Sequence, residues 1–179
     1  YYRLEETAMG NILDYETEVN DHAEYDVPRC ADGVPGCARE PEWNGTWVHT
    51  ISGVFQISAA PGARRPAVAH LHCHAPTCLS MAVYDNATGR LLCEERSRYG
   101  ALANAGGGGK FGEPGYVAVP PCMWGLPADG LEPPPDLTGV TLRVVKKTNA
   151  THGHHGEMAH GEIYYVDQPA PGYPDPPSY

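Results

Sequence analysis

Positive charge is scarce in this chain. Twelve lysines and arginines stand against 22 aspartates and glutamates, for a formal net charge of -10 and a pI near 5.2. That balance excludes a nucleic-acid partner, which is held through its phosphates by a basic surface. Long apolar runs are missing too: none approaches the ~20 residues that a bilayer-spanning helix requires. No charged-then-apolar leader opens the sequence, so the chain reads as cytosolic or as already processed. Extended apolar patterns of helical period are also lacking, while 21 glycines and 18 prolines punctuate the 179 residues, which disfavours a helical bundle. Several common chemistries leave no trace. There is no G-x-S-x-G, no convincing pair of catalytic acids and no paired C-x-x-C zinc signature. The run Gly106–Gly109 lacks the spacing of a phosphate loop, since Lys110 is followed by Phe111, and it reads as a flexible loop.

What is present decides the compartment. The six cysteines Cys30, Cys37, Cys73, Cys78, Cys93 and Cys122 form an even set. Three N-x-[ST] sequons begin at Asn44, Asn86 and Asn149. Together they describe a secreted, extracellular, N-glycosylated and disulfide-bonded protein, with "YYRLEE" as the mature terminus left by signal-peptide removal. Six cysteines allow fifteen pairings, and Cys30–Cys37 would close the short loop "ADGVPG".

The chain has the length of one domain, or of one domain with arms. Short β-branched and aromatic runs dominate, at residues 47–58, 67–74, 79–84, 90–93, 116–119, 140–146 and 162–167. Turn chemistry such as "DNATG" and "ADGLEPPPD" separates them. About seven short strands of this kind predict an all-β, antiparallel, jelly-roll-like β-sandwich over residues 44–167. Only "RLEETAMG" and "SRYGALANA" look helical. Residues 1–43 are acidic and read as an extended N-terminal arm with its own apolar anchors, Tyr1, Tyr2, Leu4, Met9, Ile12, Leu13 and Tyr15. Such an arm docks on its own sandwich, docks on a neighbour's, or stays free. Residues 168–179 form a Pro-rich tail that cannot supply a ladder of amide donors.

Seven of the nine histidines fall into two clusters: His70, His72 and His74 in "AHLHCHA", and His152, His154, His155 and His160 in "HGHHGEMAHG". On a strand, residues i and i+2 share a face with Cα atoms roughly 6.5–7 Å apart, so two imidazoles of the first cluster can serve one ion. Imidazole suits copper, zinc or nickel, and the Met158 thioether tilts the choice to copper over zinc. Histidine-rich strands also occur without metals. Glu157 reads as a base, as an outer partner of a metal-bound imidazole, or as a solvated acid. Trp43, Trp47 and Trp124 read as sugar-stacking or as core residues.

The segments "HLHCHA", "CLSMAVYDNATGRLLC", "EPGYVAVPPC" and "LRVVKKTNATHGHHGEMAHGEIYYV" occur in that order over residues 66–167. In them the chain resembles the copper type II ascorbate-dependent monooxygenases, through the C-terminal half of peptidylglycine α-hydroxylating monooxygenase, and the plant stress-up-regulated nodulin proteins. The resemblance implies an eight-stranded sandwich and a copper site of two histidines and a methionine: His72 and His74, or His70 and His72 if the register slips by two, with Met158. His154 is an additional candidate through its likeness to an H-x-G-x-M pattern. The resemblance also implies a Cys93–Cys122 disulfide, which leaves Cys73 with Cys78; the competing reading makes Cys73 a copper ligand. The monooxygenases use two copper-bearing subdomains, and this chain has room for one. Two functions follow as expectations. The first is a structural or interaction protein that forms a homo-oligomer or filament-like polymer through residues 1–43. The second is a copper-dependent oxidoreductase; lectin-like and copper-storage roles stand behind both.

Overall fold

The computed structural model describes residues 12–18, 24–57, 64–74, 76–99 and 117–167. Thirteen strands span these segments: β1 (Ile12–Glu18), β2 (Glu24–Val27), β3 (Cys37–Glu40), β4 (Thr46–Gln56), β5 (Arg64–His72), β6 (Cys78–Asp85), β7 (Leu91–Arg96), β8 (Arg98–Tyr99), β9 (Val117–Ala118), β10 (Cys122–Met123), β11 (Thr141–Asn149), β12 (His154–Met158) and β13 (His160–Asp167). A four-stranded sheet of order β1-β13-β5-β10 faces a five-stranded sheet of order β3-β4-β11-β6-β7, and two short ladders, β12-β2 and β8-β9, complete the set. All ladders between these strands are antiparallel, so the chain is an all-β sandwich with almost no helix. The helix-like reading of "SRYGALANA" yields to strand β8 at Arg98–Tyr99. Its residues 100–105, the segment "RLEETAMG", the Gly106–Gly109 run and the Pro-rich tail 168–179 lie outside the described residues.

Period-two alternation builds the core. On β11, Leu142, Val144, Lys146 and Thr148 are buried while their neighbours are half-exposed. From Glu157 to Tyr165 every second residue is buried: Glu157, Ala159, Gly161, Ile163 and Tyr165. Leu71, Ile163 and Tyr165 of one sheet thus meet Met81, Val83, Leu142 and Val144 of the other. Two disulfides staple the sheets together. Cys93–Cys122 links β7 to β10, and Cys73–Cys78 closes the crossing from β5 to β6. The third, Cys30–Cys37, closes the loop before β3. Cys73 is therefore spent in a disulfide, which removes it as a copper ligand.

Much of the segment expected as an arm belongs to this sandwich. β1 pairs along all seven of its residues with β13, β2 pairs with β12, and β3 pairs with β4. The signal is legible in retrospect. Leu13, Tyr15 and Thr17 alternate with Asp14, Glu16 and Glu18, a half-buried strand pattern that the acidic composition obscures. Residues 1–11 and 19–23 of that segment lie outside the described residues.

One buried acid bridges the sheets. The β10 ladder with β5 covers only Ala69 and Val68, since Pro120 and Pro121 precede Cys122 and bring no amide donors. The Leu71 amide donates instead to the Glu95 carboxylate of β7 at 3.0 Å. The Glu95 side chain is fully buried. Burial raises its pKa to about 8, against the lowering effect of the amides of Leu71 and Cys122. A pKa higher in the folded than in the unfolded state means that the fold holds the extra proton. Its stabilising effect is complete below the ordinary carboxylate range and is lost as pH rises through about 8. Glu95→Gln keeps an acceptor for Leu71 and removes that dependence. In urea titrations between pH 5 and pH 8.5 the parent protein is expected to lose a few kcal/mol relative to the variant; parallel pH profiles for the two would contradict this account.

Candidate metal-binding face and histidine cavity

The register of β5 against β13 assembles the first candidate surface. His72 pairs with His160 and His70 with Glu162, while the intervening Leu71 and Gly161 face the core. His70 and His72 are exposed, and Met158, His160 and Glu162 are half-exposed. His160 and Glu162 thus lie on the outward face opposite His72 and His70, and Met158 precedes them at the end of β12, separated from His160 by the buried Ala159. The His72 and His74 rings meet edge to face, 5.2 Å between centroids at 89°. His72 has its pKa lowered by partial burial first, and then by the neighbouring charges of His74, His160, His70 and Lys146. Near neutral pH its imidazole is therefore uncharged and keeps a lone pair.

His74 is held in one tautomer. Its Nδ1 lies 2.7 Å from the Gly156 carbonyl, which can only accept, so Nδ1 carries the proton and Nε2 the lone pair. This is how metal-ligating histidines are commonly oriented.

Beneath the two histidine clusters lies a buried ion pair that composition alone does not reveal. Lys146 on β11 and Glu157 on β12 are both fully buried. The Lys146 ammonium donates to Glu157 Oε1 and to the Met158 carbonyl, and it lies 5.3 Å from the centre of the Tyr25 ring. Glu157 also accepts the His74 amide at 2.8 Å and the Thr77 hydroxyl at 2.8 Å. Burial by itself would raise the Glu157 pKa, but the hydrogen bond and charge of Lys146, with the donors of His74 and Thr77, bring it below the usual carboxylate value. Burial pushes Lys146 down to about 8 against the pull of Glu157. At neutral pH the pair is ionised. The reading of Glu157 as a solvated acid is therefore corrected: four donors and the core surround it.

His154 stands on the other side of this hub. It shares a cavity of about 400 Å³ with His74, Thr77, His152, His155 and Glu157. Its Nε2 lies 3.0 Å from Thr77 Oγ1 and 3.3 Å from Glu157 Oε2. Thr77 gives its own proton to Glu157, so it accepts from His154, and His154 Nε2 is a donor.

Cys93, Glu95 and Cys122 are, among the described residues, the one group of three His, Cys, Asp or Glu side chains with donor atoms within 4.8 Å of one another, and both sulfurs are spent in the disulfide. Among the described residues no three histidines converge to that distance. The structure thus joins His72 to His74 by direct contact, leaves His70 exposed on β5 and Met158 half-exposed at the end of β12, and places His154 in the cavity. Reading the sequence singled out neither His160 as the partner of His72 nor Lys146 and Thr77 as supports. The one signal for Lys146 is its place in the buried row Leu142, Val144, Lys146, Thr148.

The other features singled out lie elsewhere. Asn44 sits in an exposed turn at φ 55°, Asn86 in the exposed β6–β7 turn, and half-exposed Asn149 accepts the Thr151 amide at 3.1 Å. Trp43, Trp47 and Trp124 are half-buried, with Arg39 over Trp47 at 4.6 Å and Arg96 over Trp43 at 5.4 Å. No helix among the described residues is long and apolar enough to cross a membrane. No family model, curated protein or solved structure matches the chain, so the functional reading rests on this geometry.

Lys146→Met strands a buried carboxylate and is expected to cost about 3–5 kcal/mol in urea denaturation. Adding Glu157→Gln to it should recover part of that loss, because the amide stays neutral and still accepts from His74. A double variant no more stable than the single one would show that the pair's charge is not what holds this corner.

Proposed function

We propose that the chain is an extracellular, N-glycosylated β-sandwich whose outward face binds a copper ion through His72, His74 and Met158. The observation that carries this reading is the contact of His72 with His74, with His74 Nδ1 committed to the Gly156 carbonyl so that Nε2 is the available donor. The donor set fits the metal. Two neutral imidazoles and a thioether are soft enough for Cu(I), whereas a hard cation would select oxygen ligands. His160 stands opposite His72, and His70 lies two residues before it, as further imidazoles on the same face. When bound, copper would supply redox or Lewis-acid chemistry at the sheet surface. This chain's own part is to orient His74 through Gly156 and Glu157 and to keep His72 neutral.

Three disulfides suit an oxidising compartment, and exposed Asn44 and Asn86 are placed where a glycan can be accommodated. These observations support secretion. The oxidoreductase reading differs by one measurable property, oxygen consumption with ascorbate.

The copper reading is tested by loading the purified chain with Cu(I). His72→Ala/His74→Ala is expected to abolish stoichiometric binding, and Met158→Leu to weaken Cu(I) at least tenfold while affecting Cu(II) much less. Full copper occupancy in the double-histidine variant would remove these residues from the site.

A second reading concerns self-assembly. β1 is a seven-residue edge strand contributed by the N-terminal segment. A head-to-tail polymer would form if β1 left its own β13 and paired with that of a neighbour. Light scattering at increasing concentration is expected to show growing species that vanish when residues 1–18 are deleted; a concentration-independent monomer would end this reading.

A further inference from the structure

The cavity beside His154 holds three imidazoles that the copper site does not use: His152, His154 and His155. They come from four consecutive residues, and the backbone holding them is tightly constrained. Gly153 presses against the chain that follows β2, where a Cβ would lie 2.9 Å from the Arg29 amide nitrogen and 3.3 Å from the Val27 carbonyl oxygen. Gly156 adopts φ 73°, a conformation that side chains rarely tolerate. Upstream, the Ala150 amide donates to the Trp47 carbonyl at 2.9 Å, and the Ala150 carbonyl accepts the Cys30 amide at 2.9 Å. The histidines therefore stand on a pinned stretch, the turn before β12 and its first two residues, which reduces the entropy lost when a ligand gathers them.

Two of the three rings have one nitrogen committed as a donor. His154 Nε2 donates to Thr77 and Glu157, which leaves Nδ1 as the basic nitrogen. The His152 carbonyl lies 3.4 Å from that nitrogen, too distant to claim it strongly. His155 Nδ1 lies 2.9 Å from the Asp26 carboxylate of β2, which leaves Nε2 as its basic nitrogen. A carboxylate or hydroxyl behind an imidazole both selects its tautomer and raises its basicity toward a metal.

We propose that His152, His154 and His155 form a second cation site, an all-imidazole site for a borderline divalent ion of the Zn(II) or Cu(II) type. The absence of a thioether distinguishes it from the His72–His74–Met158 face and disfavours Cu(I). The ligands are Nδ1 of His154, Nε2 of His155 and an imidazole nitrogen of His152. Thr77, Glu157 and Asp26 are positioning residues. The ion closes the site by drawing together rings that lie apart in the free chain. None of these ligands is shared with the copper face.

The test is calorimetric titration of the full, disulfide-intact chain with Zn(II), with thermal melting as a check on folding. His152→Ala/His155→Ala alters exposed side chains, and is expected to leave the melting temperature unchanged and to weaken zinc at least tenfold. His72→Ala/Met158→Leu is expected to leave this zinc binding intact. Asp26→Asn should weaken it about tenfold, the usual effect of removing a carboxylate behind a ligand. In nitrogen-detected imidazole spectra, zinc should shift His154 Nδ1 while Nε2 stays protonated. Zinc binding that survives His152→Ala/His155→Ala, or that is lost only in the copper-face variant, overturns the proposal.

Discussion

The buried pair of Lys146 and Glu157 is the constraint on which the rest of this corner depends. Two charges removed from water are tolerable only where each finds its opposite and every remaining donor and acceptor is used. Here the pair meets that condition by recruiting its surroundings: the Met158 carbonyl, the His74 amide, the Thr77 hydroxyl and the His154 ring all bond to one or other of its members. The four groups belong to the segments carrying the two histidine clusters. Satisfying one buried carboxylate therefore fixes where those clusters stand. The Cys73–Cys78 disulfide holds the same turn from the other side.

This arrangement divides the histidines by environment. On the sheet face, cross-strand register brings His160 opposite His72 and Glu162 opposite His70, and partial burial, reinforced by the neighbouring histidines and Lys146, keeps His72 neutral. In the cavity, hydrogen bonds to Thr77, Glu157 and Asp26 decide which nitrogen of each ring is basic. One set offers sulfur and the other only nitrogen, and that chemical difference gives the two surfaces different metal preferences. His74 touches His72 and also lines the cavity, so it forms the wall between them.

Much of the fold was legible. All seven runs read as strands are strands, because alternation of apolar and polar residues reports a half-buried sheet directly. The short strands β2, β3 and β10 were not, since two to four residues carry too little periodicity and tertiary pairing alone makes them strands. β1 was missed for another reason: its acidic residues made the segment read as an extended arm without strand pattern, while the alternation beneath them marked an edge strand. For the site, the histidines and Met158 stood out by type and spacing. Lys146 and Thr77 did not, because a lysine in "RVVKKTN" looks like any surface lysine until the register of β11 turns it inward.

The residues by themselves determined the sandwich class, the even cysteine set, the three sequons and the presence of two clusters of metal-capable side chains. These are local properties of composition and periodicity, and they hold whatever the chain does at long range. The tertiary structure alone decided which histidines meet. His74 and Gly156 are 82 positions apart, and their hydrogen bond exists only because β13 pairs with β5 in a register that sets His160 opposite His72 and so brings the chain before β13 beside His74. A slip of one residue along that ladder would turn His72 and His160 into the core and Leu71 outward. The burial of Leu71, Ile163 and Tyr165 forbids it, and so the hydrophobic core, more than any property of the histidines, sets the geometry of the site.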